Sequence, residues 1–296
     1  MMNFFRSLIY VPRINQILRT FTKVLGFLVP DKLRINPSGT VRIKITKSTS
    51  IKLRTNQTSH ITRELYWNNP LEFEYTSIFI EIIKEFKTFW DVGANIGYYS
   101  ILGCKINPTL EVEAFEPSMG PMIYLSENSK LNDVQNQILV HSTALSDRSG
   151  NIEFYQIVNP KFPKILNLSG EHNIGTKKNM LSRKTNVMAS PIDDIRKDTP
   201  PIDLIKIDVE GAEVQVLKGG LQTLKKDRPI IICEVLFNLN EPELNSIMKG
   251  LNYAFFAHVG SGLQKVDSLI RKQDDGVRNV FFVPPEKEDL IKKFIL

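Results

Sequence analysis

From residue 87 to residue 235 the chain repeats one pattern: a short apolar run, a turn, then a segment of helical spacing. Apolar runs of four to seven residues bounded by turn residues read as buried strands. They predict strands at about 87–92, 110–115, 137–141, 202–207 and 229–235, with helices at about 96–105, 118–131 and from about 211. A helix at about 241–250 and strands at 252–257 and 278–283 complete the set. This alternation predicts an α/β fold, a doubly wound, mostly parallel sheet with helices on both faces. Ligands in that architecture sit outside the carboxyl ends of the strands, so strand tips are where chemistry is expected.

The front of the chain follows other periods. Pro30 to Asn36 breaks a first helical region, and Val41, Ile43, Ile45, Ile51 and Leu53 alternate at period two. The alternation predicts a β-hairpin over Thr40–Arg54 with basic residues on its outer face. Helical spacing returns over 71–86. A strand is expected at Ile152–Val158, after a turn at Asp147–Gly150. Residues 159–190, with Pro160, Pro163, Gly170 and Gly175, read as a long polar loop. The organisation expected is a basic extension over 1–60, helix then hairpin, followed by an α/β domain over 61–296.

Composition is that of an ordinary globular chain, 42% hydrophobic and 24% charged. The charge is uneven. Residues 1–60 hold eleven Lys/Arg and one acid, Asp31, a balance of +10, so a net +6 for the chain leaves −4 for the remainder. Such asymmetry suggests a polyanionic neighbour for the front segment. No apolar run approaches the ~20 residues of a membrane span, and no secretory signal is evident. The first thirty residues are expected to form a helix packed on the domain. Peripheral contact with an anionic membrane is the second reading, and the location expected is cytoplasmic or membrane-peripheral. Cys104 and Cys233 lie in apolar elements and read as buried, reduced thiols. The four histidines show no paired ligand spacing, so no structural metal is expected.

Three groups of residues at strand tips carry candidate chemistry. Asp91-Val-Gly-Ala-Asn-Ile-Gly-Tyr-Tyr-Ser100 joins a strand to a helix through Gly93 and Gly97, where the backbone can bend sharply and lie close to a ligand. It is neither the dinucleotide fingerprint nor a P-loop. Its acid, Asp91, suits a cofactor with a positive centre, such as S-adenosylmethionine. Glu116 ends the next strand, 19 residues after Gly97, at the spacing of an acid that accepts hydrogen bonds from ribose hydroxyls. In Ile205-Lys-Ile-Asp-Val-Glu-Gly-Ala-Glu213, Lys206 and Asp208 face one side, and Glu213 opens a helix whose positive end it complements. Glu234 lies near the tip of the following strand. Lys206, Asp208 and Glu234 are expected to meet, with Lys206 and Glu234 readable as a buried ion pair that fixes strand register.

These motifs, with AFEP, the Ala144-Leu-Ser-Asp-x-x-Gly150 turn, IDLIKIDVEGAEVQVLKGG and RPIIICEV, resemble in order and spacing the FkbM family of S-adenosylmethionine-dependent methyltransferases over residues 85–257. The resemblance implies a class I methyltransferase, Rossmann-like sheet of seven strands with an antiparallel last strand. It implies O-methylation of a hydroxyl on a sugar, glycan, glycolipid or secondary metabolite. By the same matching Asp91, Gly93, Asn95 and Gly97 form the cofactor turn and Glu116 is the ribose acid. Ser142 to Leu145, including Ala144, fall near the adenine, and Asp208, Glu210 and Glu234 fall at the reaction face, Asp208 also touching the cofactor. Asp208 is the leading candidate for the base, with Glu210 or His172 behind it. A divalent ion held by Asp208 and Glu234 is a lesser reading. Two other functions compete: an RNA methyltransferase, which the basic front would suit, and a non-catalytic cofactor-binding module. Nucleic acid is disfavoured because Asp208-Val-Glu-Gly211 replaces the Asn/Asp-Pro-Pro-aromatic motif of adenine-methylating enzymes.

Overall fold

The computed structural model describes residues 8–25, 29–168 and 182–296. Among the described residues the first elements are α1 (Pro12–Leu25), the hairpin β1 (Gly39–Lys44) and β2 (Ser50–Thr55), then α2 (His60–Trp67) and α3 (Thr76–Ile82). The α/β core begins with β3 (Thr88–Val92), α4 (Tyr98–Ile106), β4 (Glu111–Phe115), α5 (Met119–Leu131) and β5 (Ile138–His141). Next come β6 (Ala144–Leu145), β7 (Gly150–Ile157), β8 (Ser182–Ser190), α6 (Ile192–Ile195) and β9 (Leu204–Ile207). It continues through α7 (Glu213–Lys218), α8 (Leu221–Asp227), β10 (Ile230–Glu234) and α9 (Glu241–Gly250). It closes with β11 (Ala254–Val259), β12 (Gly262–Val266) and β13 (Asn279–Val283).

The large sheet has the order β12-β11-β13-β10-β9-β3-β4-β5. Strands β10, β9, β3, β4 and β5 run parallel, and β13 enters antiparallel between β10 and β11. The fold is therefore the doubly wound, mostly parallel sheet that the alternation predicts, with the reversed last strand that the family resemblance implies. It has one strand more than the seven expected, because β11 turns back on itself as the hairpin partner β12. Central strands are largely apolar because helices cover both faces: every residue of β3 and β9 is buried, the charged Asp91 and Lys206 included. Alternate residues feed two cores. Phe89, Leu204 and Ile232 join one, together with Ile101 of α4; Trp90, Ile205, Ile207 and Cys233 join the other, with Val216 of α7.

The front hairpin belongs to the first of these cores through Val41, Ile43, Ile51 and Leu53. Its backbone is also held by α5: Asn132 and Asn128 accept from the Lys52 and Arg54 N–H groups at 2.8 and 2.6 Å. Four outward residues, Arg42, Lys44, Lys52 and Arg54, give it the basic outer face expected.

Part of the long loop read over 159–190 is a strand. Residues 182–190 form β8, paired antiparallel with β7 along its whole length, and β6 joins the far edge of β8. Only Ala189 of β8 is buried, so the segment lacks the apolar alternation that marks a strand; cross-strand pairing with β7 holds it. The helix read over 71–86 is shorter, confined to α3 and flanked by 3₁₀ turns at Pro70–Glu72 and Ile83–Glu85. Both cysteines are buried and unpaired. Among the described residues no helix is long and apolar enough to cross a membrane.

Candidate active site

A cavity of about 1340 Å³ opens at the carboxyl ends of β3, β4, β9 and β10, with the β6–β8–β7 sheet forming part of its wall. Its floor is the turn after β3. Gly93 and Ala94 donate their N–H groups to the Phe115 carbonyl at 3.0 and 3.1 Å, which binds this turn to the tip of β4. Gly93, Asn95 and Gly97 all have positive φ. At Gly93 no other residue fits, since a Cβ would lie 1.9 Å from the Asp208 carbonyl oxygen. The two loops that form the site are thus in backbone contact.

Glu116 stands at the edge of this turn, 2% exposed and in the cavity wall. One carboxylate oxygen accepts the Asn95 N–H at 2.9 Å and the other the Ser118 N–H at 2.8 Å. Burial pushes its pKa up to about 7, against the pull of those two N–H groups. A carboxylate offers about four acceptor positions, so two remain for a ligand.

Beneath the turn lies a buried charge cluster. Lys206 donates to the Gly93 carbonyl at 3.0 Å and faces Asp91 Oδ1 at 3.4 Å and Asp208 Oδ2 at 3.6 Å. Burial alone would lower the Lys206 ammonium; Asp91, Asp208 and Glu74 more than offset it and hold its pKa raised. Asp91 accepts from the Ser100 hydroxyl at 2.6 Å through its other oxygen. The expected Lys206–Glu234 pair does not form, and register gives the reason. On β9, Lys206 stands opposite Asp91 of β3 and Ile232 of β10, while Glu234 lies opposite Asn279 of β13.

The turn after β9 is shaped by Glu213. One of its carboxylate oxygens accepts the Val209 and Gly211 N–H groups at 3.2 and 2.9 Å, and the other accepts Asn240 Nδ2 at 2.7 Å. Glu213 is fully buried, and it clamps the turn as well as starting α7. That clamp presents Asp208 and Glu210 to the cavity, with Glu210 at φ 56°. Glu234 faces the same space. One of its oxygens is buried with no hydrogen-bond partner among the described residues. Burial first, then the charges of Asp208, Glu210, Glu213 and Glu74, push its pKa up to about 9. The upward push favours its protonated form, which is a hydrogen-bond donor.

One acid of this group has no forerunner in the sequence reading. Glu74 sits in the turn before α3 at φ 46°, lines the cavity, and accepts from the Tyr99 hydroxyl at 2.9 Å. It is open to the cavity and enclosed by protein elsewhere. That burial, with Asp208 next, lifts its pKa to about 7. No local pattern marks it: the tertiary fold carries it to the tips of β9 and β10 from a segment of unremarkable sequence. His60 and Phe73 reach the wall from the same front region.

Of the other residues singled out in the sequence, Gly93, Asn95, Glu116, Ala144, Asp208, Glu210 and Glu234 line the cavity. Asp91 and Gly97 support the turn from behind the wall, and Ser142 lies just outside it, with Thr143, Ala144 and Leu145 in the lining. His172 lies outside the described residues. Among those residues no group of three or more His, Cys, Asp or Glu side chains is placed to hold a metal ion.

The raised acids make stability depend on pH. Glu74, Glu116 and Glu234 titrate near 4.5 when free and at about 7, 7 and 9 when folded. Between those values the folded state binds more protons than the unfolded state, so stability falls as pH rises. The ligand-free protein should therefore melt lower at about pH 8.5 than at about pH 6. Glu234→Gln should flatten the upper part of that slope; an unchanged slope in thermal melts would exclude Glu234 as its source.

A model of the methyltransferase FkbM domain matches residues 91–284. Hexuronic acid methyltransferase AglP of Haloferax volcanii is 28% identical over 163 residues, 54% of this chain and 61% of that protein. The 2-O-methyltransferase NoeI of Sinorhizobium fredii is 31% identical over 148 residues, 47% of this chain and 59% of that protein. The chain spans about six tenths of the length of these two relatives. Methyltransferase FkbM from Methylobacillus flagellatus KT aligns with a TM-score of 0.43 and 16% identity over 66% of this chain and 43% of that one. The fold is read from strand order, independently of that likeness. The family match runs from the tip of β3 to the end of β13 and takes in both acidic turns; the chain belongs to the FkbM methyltransferase family.

Proposed function

We propose that the protein transfers a methyl group from S-adenosylmethionine to a hydroxyl of a small molecule or of a sugar in a glycan or glycolipid. The observation that carries this reading is the joint placement of Glu116 and the acids of β9 and β10 around one cavity beside the Gly93 turn. The residues present fit the donor. Glu116 has two acceptor positions left for a pair of ribose hydroxyls. Asn95, Ala144 and Leu145 supply the rest of the binding wall. When bound, S-adenosylmethionine supplies a methyl carbon activated by its neighbouring sulfur.

The chain's own groups then have three tasks. The walls hold the acceptor oxygen in line, which can supply roughly 7–11 kcal/mol of the barrier. Asp208, open to the cavity and steadied by Lys206, takes the hydroxyl proton. Glu234, whose surroundings favour its protonated form, donates a hydrogen bond that orients the acceptor, and Glu74, raised toward neutrality, can receive the proton in turn. The names of AglP and NoeI support a sugar acceptor. The test is incubation with radiolabelled cofactor and separate pools of uronic acid glycosides, glycolipids, RNA and protein. Label is expected in a carbohydrate pool; label confined to RNA or protein would overturn the acceptor class.

A further inference from the structure

Helix α1 is packed the wrong way round for a globular chain. Its buried residues are polar, Asn15 and Arg19. Asn15 donates to the Asn36 carbonyl at 3.1 Å and accepts the Ser38 N–H at 2.8 Å. Arg19 donates to the Ser38 and Thr40 carbonyls at 3.0 and 2.8 Å. These bonds fix the helix against the start of β1 and turn its apolar stripe outward: Ile17, Phe21 and Val24 expose 69%, 64% and 80% of their surfaces. A helix that served only the fold would bury that stripe.

The hairpin beside it is electrostatically unfavourable on its own. Arg42 stands directly opposite Lys52 in the ladder, and like charges across a strand pair destabilise it. Exposed Lys44 extends the same basic face, Arg54 is answered by Glu127 of α5 at 3.2 Å, and Asp31, the one acid of the first 60 residues, is already paired with Arg34 at 2.6 Å. An apolar stripe thus adjoins a hairpin on which Arg42, Lys44 and Lys52 have no acidic partner among the described residues and call for an anionic one.

We propose that α1 and the β1–β2 hairpin form a docking surface for an anionic lipid bilayer. The stripe enters the acyl boundary and the cations meet the headgroups. A nucleic acid would satisfy the cations and leave the stripe in water. A second copy would bury the stripe but bring another segment of the same positive charge against this one.

Flotation of the full chain with vesicles tests this. Binding is expected to phosphatidylcholine vesicles containing about 30% phosphatidylserine, to be weak with phosphatidylcholine alone, and to fall with salt. Ile17→Ser with Phe21→Ser should lower the bound fraction about tenfold while the melting temperature is kept, because both side chains are exposed. Arg42→Gln with Lys52→Gln should weaken binding to anionic vesicles only. Failure to float, or equal flotation of the stripe variant, overturns the proposal. So does a lipid-free dimer that the stripe variant splits into monomers on a sizing column, since the stripe then serves self-association. Neither result bears on methyl transfer, which is read separately.

Discussion

Asp208→Asn should lower methyl transfer about 10²–10⁴-fold while S-adenosylmethionine still binds within a few-fold of its normal affinity. The substitution keeps the side chain's size and leaves the turn intact, because the backbone bond from the Asp208 N–H to the Val92 carbonyl and the Glu213 clamp do not use this carboxyl. What is lost is a group able to receive the acceptor's proton. A second readout separates this from simple damage. Asp208 is the leading charge that raises Glu234 after burial itself, so removing it should move any kinetic limb belonging to Glu234 to lower pH. Near-normal turnover with an unmoved profile would take Asp208 out of the proton-acceptor role and leave Glu74 as the better placed acid.

Lys206→Met should destabilise the fold by about 3–5 kcal/mol, the usual cost of removing one partner from a buried ion pair. That corresponds to a fall in melting temperature of roughly 10 °C. The reason is Asp91, 1% exposed, with one oxygen that has no hydrogen bond among the described residues and only the Lys206 ammonium to balance it. Lys206 also holds the Gly93 carbonyl, so cofactor affinity should fall along with stability. Adding Asp91→Asn should recover a good part of the loss, because the stranded charge is gone; a double-mutant cycle measures the coupling. Strict additivity of the two substitutions would contradict the pairing.

The sequence makes the sheet legible where burial is two-sided. Strand β10 is an apolar run that ends on Glu234, and β9 is apolar but for Lys206 and runs into Asp208, so acids mark both tips. Polar β8 carries no such mark, because its place is set by its partner β7. Lys206 illustrates a second limit. Periodicity places it on the same side as Asp208, yet which neighbouring strand answers it depends on register, and register put Asp91 opposite it. Glu74 illustrates a third: its chemistry comes from neighbours such as Asp208 and Tyr99 that the fold, not the local sequence, brings beside it. The front segment reads as a basic hairpin and a helix packed on the domain. That the helix would turn its polar side inward follows from Asn15 and Arg19 meeting carbonyls that only the folded hairpin lines up.

Calorimetric titration of the intact protein with S-adenosylmethionine tests the central claim most directly. A one-to-one binding heat is expected in the wild type, with Glu116→Ala binding at least about tenfold more weakly, as loss of a buried charged acceptor requires. Absence of binding heat, or equal affinity in the Glu116→Ala protein, would contradict the assignment of this cavity.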